Sequence, residues 1–590
     1  MAEAGSTTPN YEDWSKDQLV QRLKDLEEQL KRQQQSHETQ PAAKQSQHPQ
    51  YQQQQAAAPP KKKQKKNRKL DPSKYSTRVI ALKLAYLGKN YGGFEYQGSA
   101  NVPTIEEELW KALCRACLIW PENPDKVDFT PWAYSKCGRT DKGVSAFGQV
   151  ITIKVRSNRP VSKKEEEVKE DVEMTDVPAE GEQTKGKKKG DDKKQKVIKS
   201  EWDPIADEIN YPRVLNRLLP PDIRILAWAP TLPPNFSARY SCYERQYRYF
   251  FTNPAFSPLP PSLDPGLASS DGNDPNKPRE GWLDIDAMRM AAKLFEGVHD
   301  FRNFCKVDGA KQISNFTRRV FEADIVEVDD ATSSLPFLTQ RPDLLPSGFD
   351  RSDRYPKVYY FHVRGSAFLW HQIRHMVSVL FAIGQGLEKP SLVTELLDAD
   401  SHPRRPNYAM ADEVPLVLWD CIFPKLDEDM SRKMANVHDP SAQGYDKPVQ
   451  DGIDWVWVGE DGPGSLHGAG GLVDQLWETW RERKMDELLA GRLLDAVAKR
   501  PNLERKLIGG ELGPRPGQRV FEGGNTGRPS GSYVPVLKRP LLASPEEIND
   551  KWAQSKGFKN SAELAQTKNW RAAIKARKTG DNSAMDSGEE

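Results

Sequence analysis

Ser135-Lys136-Cys137-Gly138-Arg139-Thr140-Asp141-Lys142-Gly143-Val144-Ser145-Ala146 is the stretch from which the rest of the chain can be read. Glycines at 138 and 143 bracket a short loop, and glycine lets the backbone take positive φ or lie close to another group. Upstream, Trp132 to Cys137 reads as a short strand. Downstream, Val150 to Val155 puts Ile151, Ile153 and Val155 on one face, the period of a half-buried strand. One carboxylate, Asp141, therefore sits on a tight loop between two strands, with Arg139 and Lys142 on either side. That setting suits a nucleophile or base that stays ionised beside an anionic substrate. On spacing alone the plainer reading stands ahead: a polar hairpin loop whose Asp bonds its own backbone.

The 590 residues suffice for two or three domains with a core, yet 45 prolines, 29% charged residues and long Gln and Lys tracts set much of the chain outside it. The net charge of +2 does not point to nucleic acid, whereas the clustering of Lys and Arg does. The cysteines (114, 117, 137, 242, 305 and 421) are scattered. Cys114 and Cys117 form a C-x-x-C on an expected helix, with no second pair to complete a zinc site. Structural thiols in a reducing compartment are expected, and no metal. No apolar run approaches the length of a membrane span and no signal peptide is evident, so a soluble intracellular protein is expected.

Residues 1–70 read as a coiled-coil and disordered basic region. Leu19, Leu23, Leu26 and Leu30 form a short seam within a helix over 12–35, for self-association, docking or no more than a solvated helix. Residues 33–60 are Gln-rich and expected to be disordered. Lys61 to Lys69 then form a basic run that fits a nuclear-import signal, a phosphate-binding arm or a solubilising tail.

The first folded half spans 75–228. Ile80, Leu82, Leu84 and Tyr86 alternate as a strand, which runs into the glycine-rich turn Gly88-Lys89-Asn90-Tyr91-Gly92-Gly93-Phe94; P-loop spacing is absent. Thr104 and Glu107 form a capping box for a helix that buries Ile105, Leu109 and Leu113. Residues 157–200, acidic then basic, form a disordered insertion. A helix over Tyr211 to Leu219 and a strand over Ile223 to Trp228 complete a ferredoxin-like unit.

The second half, 229–425, repeats the plan. Gln246 to Thr252 is a strand with Tyr247, Tyr249 and Phe251 on one face, followed by a loop over 253–280. Asp284 begins a helix burying Ile285, Met288, Leu294 and Phe295, and Gly297 stops it. Val320 to Val328 and Val358 to Val363 are strands around a second insertion at 329–355. An apolar helix runs from Leu369 to Ile383, and Pro415 to Phe423 closes the sheet. The fold class is α+β: two ferredoxin-like halves sharing one mainly antiparallel sheet, with helices on one face. Residues 430–590 interleave Trp455, Trp457, Trp477, Trp480, Trp552 and Trp570 with Lys and Arg. Helices near 470–499, 545–556 and 561–577 would form either a partly disordered basic extension touching RNA or a helical layer on the core.

Gly138 to Ala146 resembles the catalytic motif of tRNA pseudouridine synthases of the TruA type. Further segments match in order from Tyr75 to Pro424. Cys137 to Val150, Pro220 to Leu226 and His299 to Cys305 make the resemblance closest to the eukaryotic branch acting at tRNA positions 38 and 39. The resemblance implies an active-site cleft between the halves and tRNA as partner. It also implies an isomerisation that needs no redox cofactor or metal, and a location in cytoplasm and nucleus. The family is often dimeric, which makes a second copy of the chain a candidate partner.

By the same resemblance Asp141 is the nucleophile, acting at the sugar C1′, the base C6 or a sugar proton. Tyr247, in Arg245-Gln246-Tyr247-Arg248-Tyr249, stacks on the target base, a contact of roughly 1–3 kcal/mol. Arg139 helps displace the nucleotide from its stack. Arg239, in Phe236-Ser237-Ala238-Arg239, contacts phosphate. Lys142 stands where a bacterial-type motif has Ala, and Ser145 where it has His; Lys142 is counted with the RNA-binding residues. Arg374 sits in a helix that is otherwise nearly all apolar, and a buried guanidinium requires an anion. Asp141 is the expected partner, and the family pairs the two.

Two other readings compete. One is an RNA-binding protein or tRNA chaperone of the same fold without catalysis, against which the intact set of Arg139, Asp141, Tyr247 and Arg374 weighs. The other is a uridine methyltransferase using Cys137, but no G-x-G-x-x-G follows a strand.

Overall fold

Alternation of Ile80, Leu82, Leu84 and Tyr86 builds the strand around which the first half assembles in the computed structural model. The structure describes residues 71–98, 101–160, 202–260, 278–328, 340–345, 355–445, 447–460, 462–498, 517–525, 527–529 and 532–567, and the single positions 263, 570 and 574. β1 (Ser76–Tyr86) is followed by α1 (Ile105–Arg115). The short β2 (Ser135–Lys136) and long β3 (Ser145–Ser157) flank the motif loop, and α2 (Tyr211–Asn216) leads into β4 (Ile223–Ala229). β1 pairs antiparallel with both β3 and β4, and its register sets Leu82 opposite Ile151 and Ile80 opposite Ile153. Ile105, Leu109 and Leu113 of α1 are fully buried in the same core as these strand residues. Each fully buried side chain of this size contributes about 1.5–3 kcal/mol.

The second half runs β5 (Glu244–Asn253), α3 (Ile285–Lys293), β6 (Gly297–Asp300), β7 (Thr317–Glu327), β8 (Lys357–Gly365), α4 (Gln372–Gly384) and β9 (Leu416–Ile422). Every residue of α4 is buried, and it packs with α3 against Tyr249, Phe251, Phe361 and Val363 in a second core. With β10 (Val456–Trp457), the strand order is β10-β4-β1-β3-β9-β5-β8-β7-β6, and β2 pairs to β3. All pairings are antiparallel except β3 with β9, where Ser145 meets Val417 and Ala146 meets Leu418. The halves therefore join at the residues that end the motif loop, as one mainly antiparallel sheet of an α+β fold.

Several elements differ from the sequence reading. The strand expected from Trp132 shrinks to β2, because Pro131 lies in a 3-10 turn and Ala133 takes φ +46°. Thr104 accepts from the Glu107 amide as expected, but the Glu107 carboxylate pairs with Lys111. The apolar helix expected from Leu369 starts at Gln372, because His371 holds φ +62° and interrupts the spiral. Gly297, at φ +107°, opens β6 as well as following α3, and Ile285 and Leu294 are only half-buried.

Described parts of 430–567 pack onto this body. β10 lengthens the sheet beyond β4, Phe521 and Val536 enter the second core, and the Tyr249 hydroxyl donates to the Gly523 carbonyl at 2.7 Å. By contrast, α5 (Leu472–Ala498) buries only Leu472 and Asp495. The expected helix over 12–35, the Gln-rich tract and the basic run at 61–69 lie outside the described residues. So do most of both insertions and nearly all of 568–577. No described helix is long and apolar enough to cross a membrane.

Candidate active site

The motif loop is clamped through its backbone. Gln149, fully buried, accepts from the Gly138 amide and donates to the Gly138 carbonyl, both at 3.0 Å. The hydroxyls of Thr140 and Tyr86 bond at 2.7 Å, and the amides of Phe94 and Gly143 donate to the carbonyls of Thr140 and Tyr91. The glycine-rich turn at 88–93 exists for this contact. A Cβ on Gly88 would stand 2.0 Å from the Val144 carbonyl oxygen, so only glycine lets the two loops touch. Gly143 takes φ +80°, which turns the chain into β3.

That clamp presents Asp141, whose side chain is 26% exposed, to a cleft of about 1280 Å³ between the halves. The volume exceeds the roughly 300–1,000 Å³ of a small-molecule pocket. Across the cleft, the turn from Ser366 to His371 brings an indole N–H and an imidazole to the carboxylate. Trp370 Nε1 donates to Oδ1 at 3.2 Å, and His371 Nε2 lies 3.4 Å from Oδ2. The ammonium groups of Lys306 and Lys311 lie 4.7 and 4.8 Å from the centre of the Trp370 ring, holding the indole by cation–π attraction. Burial, with the charge of Arg374 next, lowers the His371 pKa to about 4, so the ring is neutral at pH 7. Its Nδ1 is buried without a hydrogen-bond partner among the described residues. That is consistent with the proton on Nε2, facing Asp141, since a bare lone pair is cheaper to bury than an unbonded N–H.

Arg374 is buried as expected, at 6% exposure, but its direct partners differ. Nη2 pairs with Glu413 at 2.7 Å, and Nε donates to the Ala411 carbonyl at 2.7 Å. The expected Arg374–Asp141 ion pair is thus corrected to Arg374–Glu413. The guanidinium was bound to find an anion, and the loop after α4 supplies a nearer one. Arg374 still acts on Asp141 at longer range. Burial raises the Asp141 pKa, while the Arg374 charge and the Trp370 bond oppose the rise. Neither Trp370, His371 nor Glu413 was singled out from the sequence. An indole and an imidazole side by side before α4 were the one available signal for Trp370 and His371, and nothing in the spacing pointed to Glu413.

Tyr247 lines the same cleft from β5, half-buried, its ring edge-on to Phe368 at 5.3 Å. Burial keeps its phenol protonated. Arg139, 51% exposed at the mouth, lies 3.4 Å from Glu95. Lys142 and Arg239 are exposed at the rim, with the Arg239 guanidinium over the Tyr240 ring at 5.2 Å. Lys311, Arg318 and the 74% exposed Tyr240 add to the cationic and aromatic rim. The structure therefore brings together all six residues singled out from the sequence. The arrangement is one oriented carboxylate on the floor, an aromatic wall and cations at the entrance, which fits a nucleic-acid segment with one base inserted.

A family of that description matches the sequence: the tRNA pseudouridine synthase model covers residues 291–424. The tRNA pseudouridine(38/39) synthase of Saccharomyces cerevisiae is 35% identical over 424 residues, 71% of this chain and 72% of that protein. The human protein of the same name is 39% identical over 356 residues, 60% of this chain. The chain spans 58% of that human relative's length. tRNA pseudouridine synthase A of Methanothermobacter thermautotrophicus is 28% identical over 323 residues, 55% of this chain and 74% of that protein. This chain belongs to the tRNA pseudouridine synthase family of the TruA type.

Proposed function

We propose that this chain isomerises uridine to pseudouridine at positions 38 and 39 of the tRNA anticodon arm. The observation that carries the reading is Asp141, the one carboxylate of the motif loop, facing the cleft opposite Tyr247 with cations at the entrance. The name of the yeast and human relatives supplies the positions.

In this reading the target nucleotide leaves its stack and enters the cleft, with Arg139 occupying part of the gap. Tyr247 stacks on the uracil, and Arg239 and Lys142 hold flanking phosphates. The N1–C1′ bond breaks, the uracil turns, C5 joins C1′, the C5 proton leaves and N1 gains a proton. No electrons are exchanged. Asp141 supplies the carboxylate that carries the reaction. Trp370 and His371 orient it with neutral donors, while Arg374, engaged by Glu413, acts from a distance. A carboxylate held this way keeps a raised pKa, and a more basic carboxylate is a better nucleophile than one tied directly to a guanidinium. Phosphate contacts at the rim read shape more than sequence, so many tRNAs with uridine at either position serve as substrates.

Pseudouridine mapping in tRNA from cells lacking the protein tests the reading. Loss at positions 38 and 39 alone is expected. Loss only at other tRNA positions would discard the assigned positions, and an unchanged map would discard the activity.

A further inference from the structure

Sequence spacing leaves Cys137, Cys242 and Cys421 unrelated, and the fold brings them together. Cys137 precedes the motif loop, Cys242 precedes β5, and Cys421 lies on β9. Their sulfur atoms all lie within 4.8 Å of one another, and the residues are 5%, 7% and 0% exposed. The cluster sits at the seam between the halves, directly behind the loop that presents Asp141.

Arg245 stands beside it, opposite Cys421 in the β5–β9 register. Its guanidinium donates to the carbonyls of Ser366 at 2.7 Å, Arg239 at 3.0 Å and Cys137 at 3.3 Å. None of these acceptors carries a charge, and no carboxylate among the described residues pairs with Arg245. Arg245 is half-buried at the edge of the cleft, where its charge still favours a nearby anion. Three thiolates around a divalent cation carry one net negative charge, which Arg245 cancels.

We propose that Cys137, Cys242 and Cys421 bind a zinc ion as three thiolates. Tetrahedral Zn–S bonds of about 2.3 Å set the sulfurs about 3.8 Å apart, a spacing the cluster reaches by small side-chain movements. No imidazole or carboxylate joins the cluster among the described residues, a donor set that selects a soft ion over magnesium, calcium or manganese. Cys137 and Cys242 line the cleft, so the fourth position faces it and takes water. Binding releases the thiol protons, and its free energy adds to folding. The ion ties the loop carrying Asp141 to β5, which carries Tyr247, and to β9.

The full chain, produced with zinc in the medium and purified without chelator, is analysed by inductively coupled plasma mass spectrometry. About one zinc per chain is expected. Cys242→Ser and Cys421→Ser, each verified as folded by circular dichroism, are expected to lose the metal. Joint replacement of Cys114 and Cys117 by Ser is expected to retain it. Should the single variants fail to fold, cadmium titration of the zinc-stripped wild-type chain reads the thiolate-to-cadmium absorption, which should saturate at about one equivalent. A wild-type chain that retains no zinc and gives no cadmium absorption overturns the proposal. Loss of metal with Cys114 and Cys117, or copper bound in preference to zinc, overturns it as well.

Discussion

Two segments meet at Asp141, and they are held in opposite ways. The motif loop, 137–144, is fixed by its main chain: the Gln149 clamp on Gly138, the amides of Phe94 and Gly143, and the close approach of Gly88. The facing turn, 366–374, acts through side chains: Trp370 and His371 on the carboxylate, Arg374 on Glu413. The first segment sets where the carboxylate stands. The second sets its direction and basicity. Changes in the two should therefore fail differently, the first in chemistry with the fold intact, the second in stability and rate together.

The largest effect belongs to the loop. Asp141→Asn keeps size but removes the charge, and turnover should fall by about 10²–10⁴-fold or more, with tRNA affinity near that of the wild type. Stability should not fall with it. Burial raises the folded-state pKa of Asp141, so its contribution is fully present below the ordinary carboxylate pKa and lost as pH rises through the raised value. At neutral pH the wild type bears the cost of burying the charge, so the variant should be at least as stable there. Melting curves of both proteins from acid to neutral pH check this, and a variant that loses stability relative to the wild type as pH rises would contradict it.

On the other side of the comparison, Arg374→Ala strands Glu413 and leaves the Ala411 carbonyl without its donor. It should cost roughly 3 kcal/mol in a denaturant unfolding series, since the guanidinium is buried and Glu413 is only partly so. Arg374→Lys keeps the charge but cannot serve both acceptors through a planar fork, and should recover part of the stability. If Arg374→Ala unfolds like the wild type, the pairing with Glu413 is wrong.

Trp370→Phe is gentler. It keeps an aromatic ring beside Lys306 and Lys311 but removes the donor to Asp141. A hydrogen bond to a charged group is worth about 1.5–3 kcal/mol, less where water reaches it, so kcat should drop by about tenfold with KM little changed. A rise in KM alone would show that Trp370 binds RNA rather than orienting the carboxylate.

The contrast also explains what was legible in the sequence. Strands announced themselves through alternation at Ile80 to Tyr86 and Tyr247 to Phe251. The motif was legible as a loop from its bracketing glycines, and as a catalytic loop only through the family resemblance of its contiguous residues. The partners of Asp141 were not. Burial of Arg374 followed from its apolar helix, but which anion it meets depends on the path of the chain after α4, which brings in Glu413. Trp370 and His371 act because His371 takes φ +62°, a backbone state no periodicity reveals. β10 was hidden because two residues carry no period. The joining of Cys137, Cys242 and Cys421 depends on the β3–β9 and β5–β9 pairings, which no spacing rule contains.

The smallest effect is expected from the first insertion. Residues 160–198 have a composition with few apolar groups to bury, and loop-closure entropy changes slowly with length. Replacing them by a short Gly/Ser linker should leave kcat/KM within about twofold, because each halving of loop length changes closure by only about 0.6 kcal/mol, and in the favourable direction. A large loss would place this segment in RNA binding.

The central claim is that Asp141, oriented by the facing turn, isomerises uridine within tRNA. Incubating the purified full chain with tRNA tritiated at uridine C5, without any methyl donor, tests it most directly. The wild type is expected to release tritium as water, and Asp141→Asn none above background, although that variant still binds the tRNA. Absence of release by a wild-type chain that binds tRNA, or equal release by both, would contradict it.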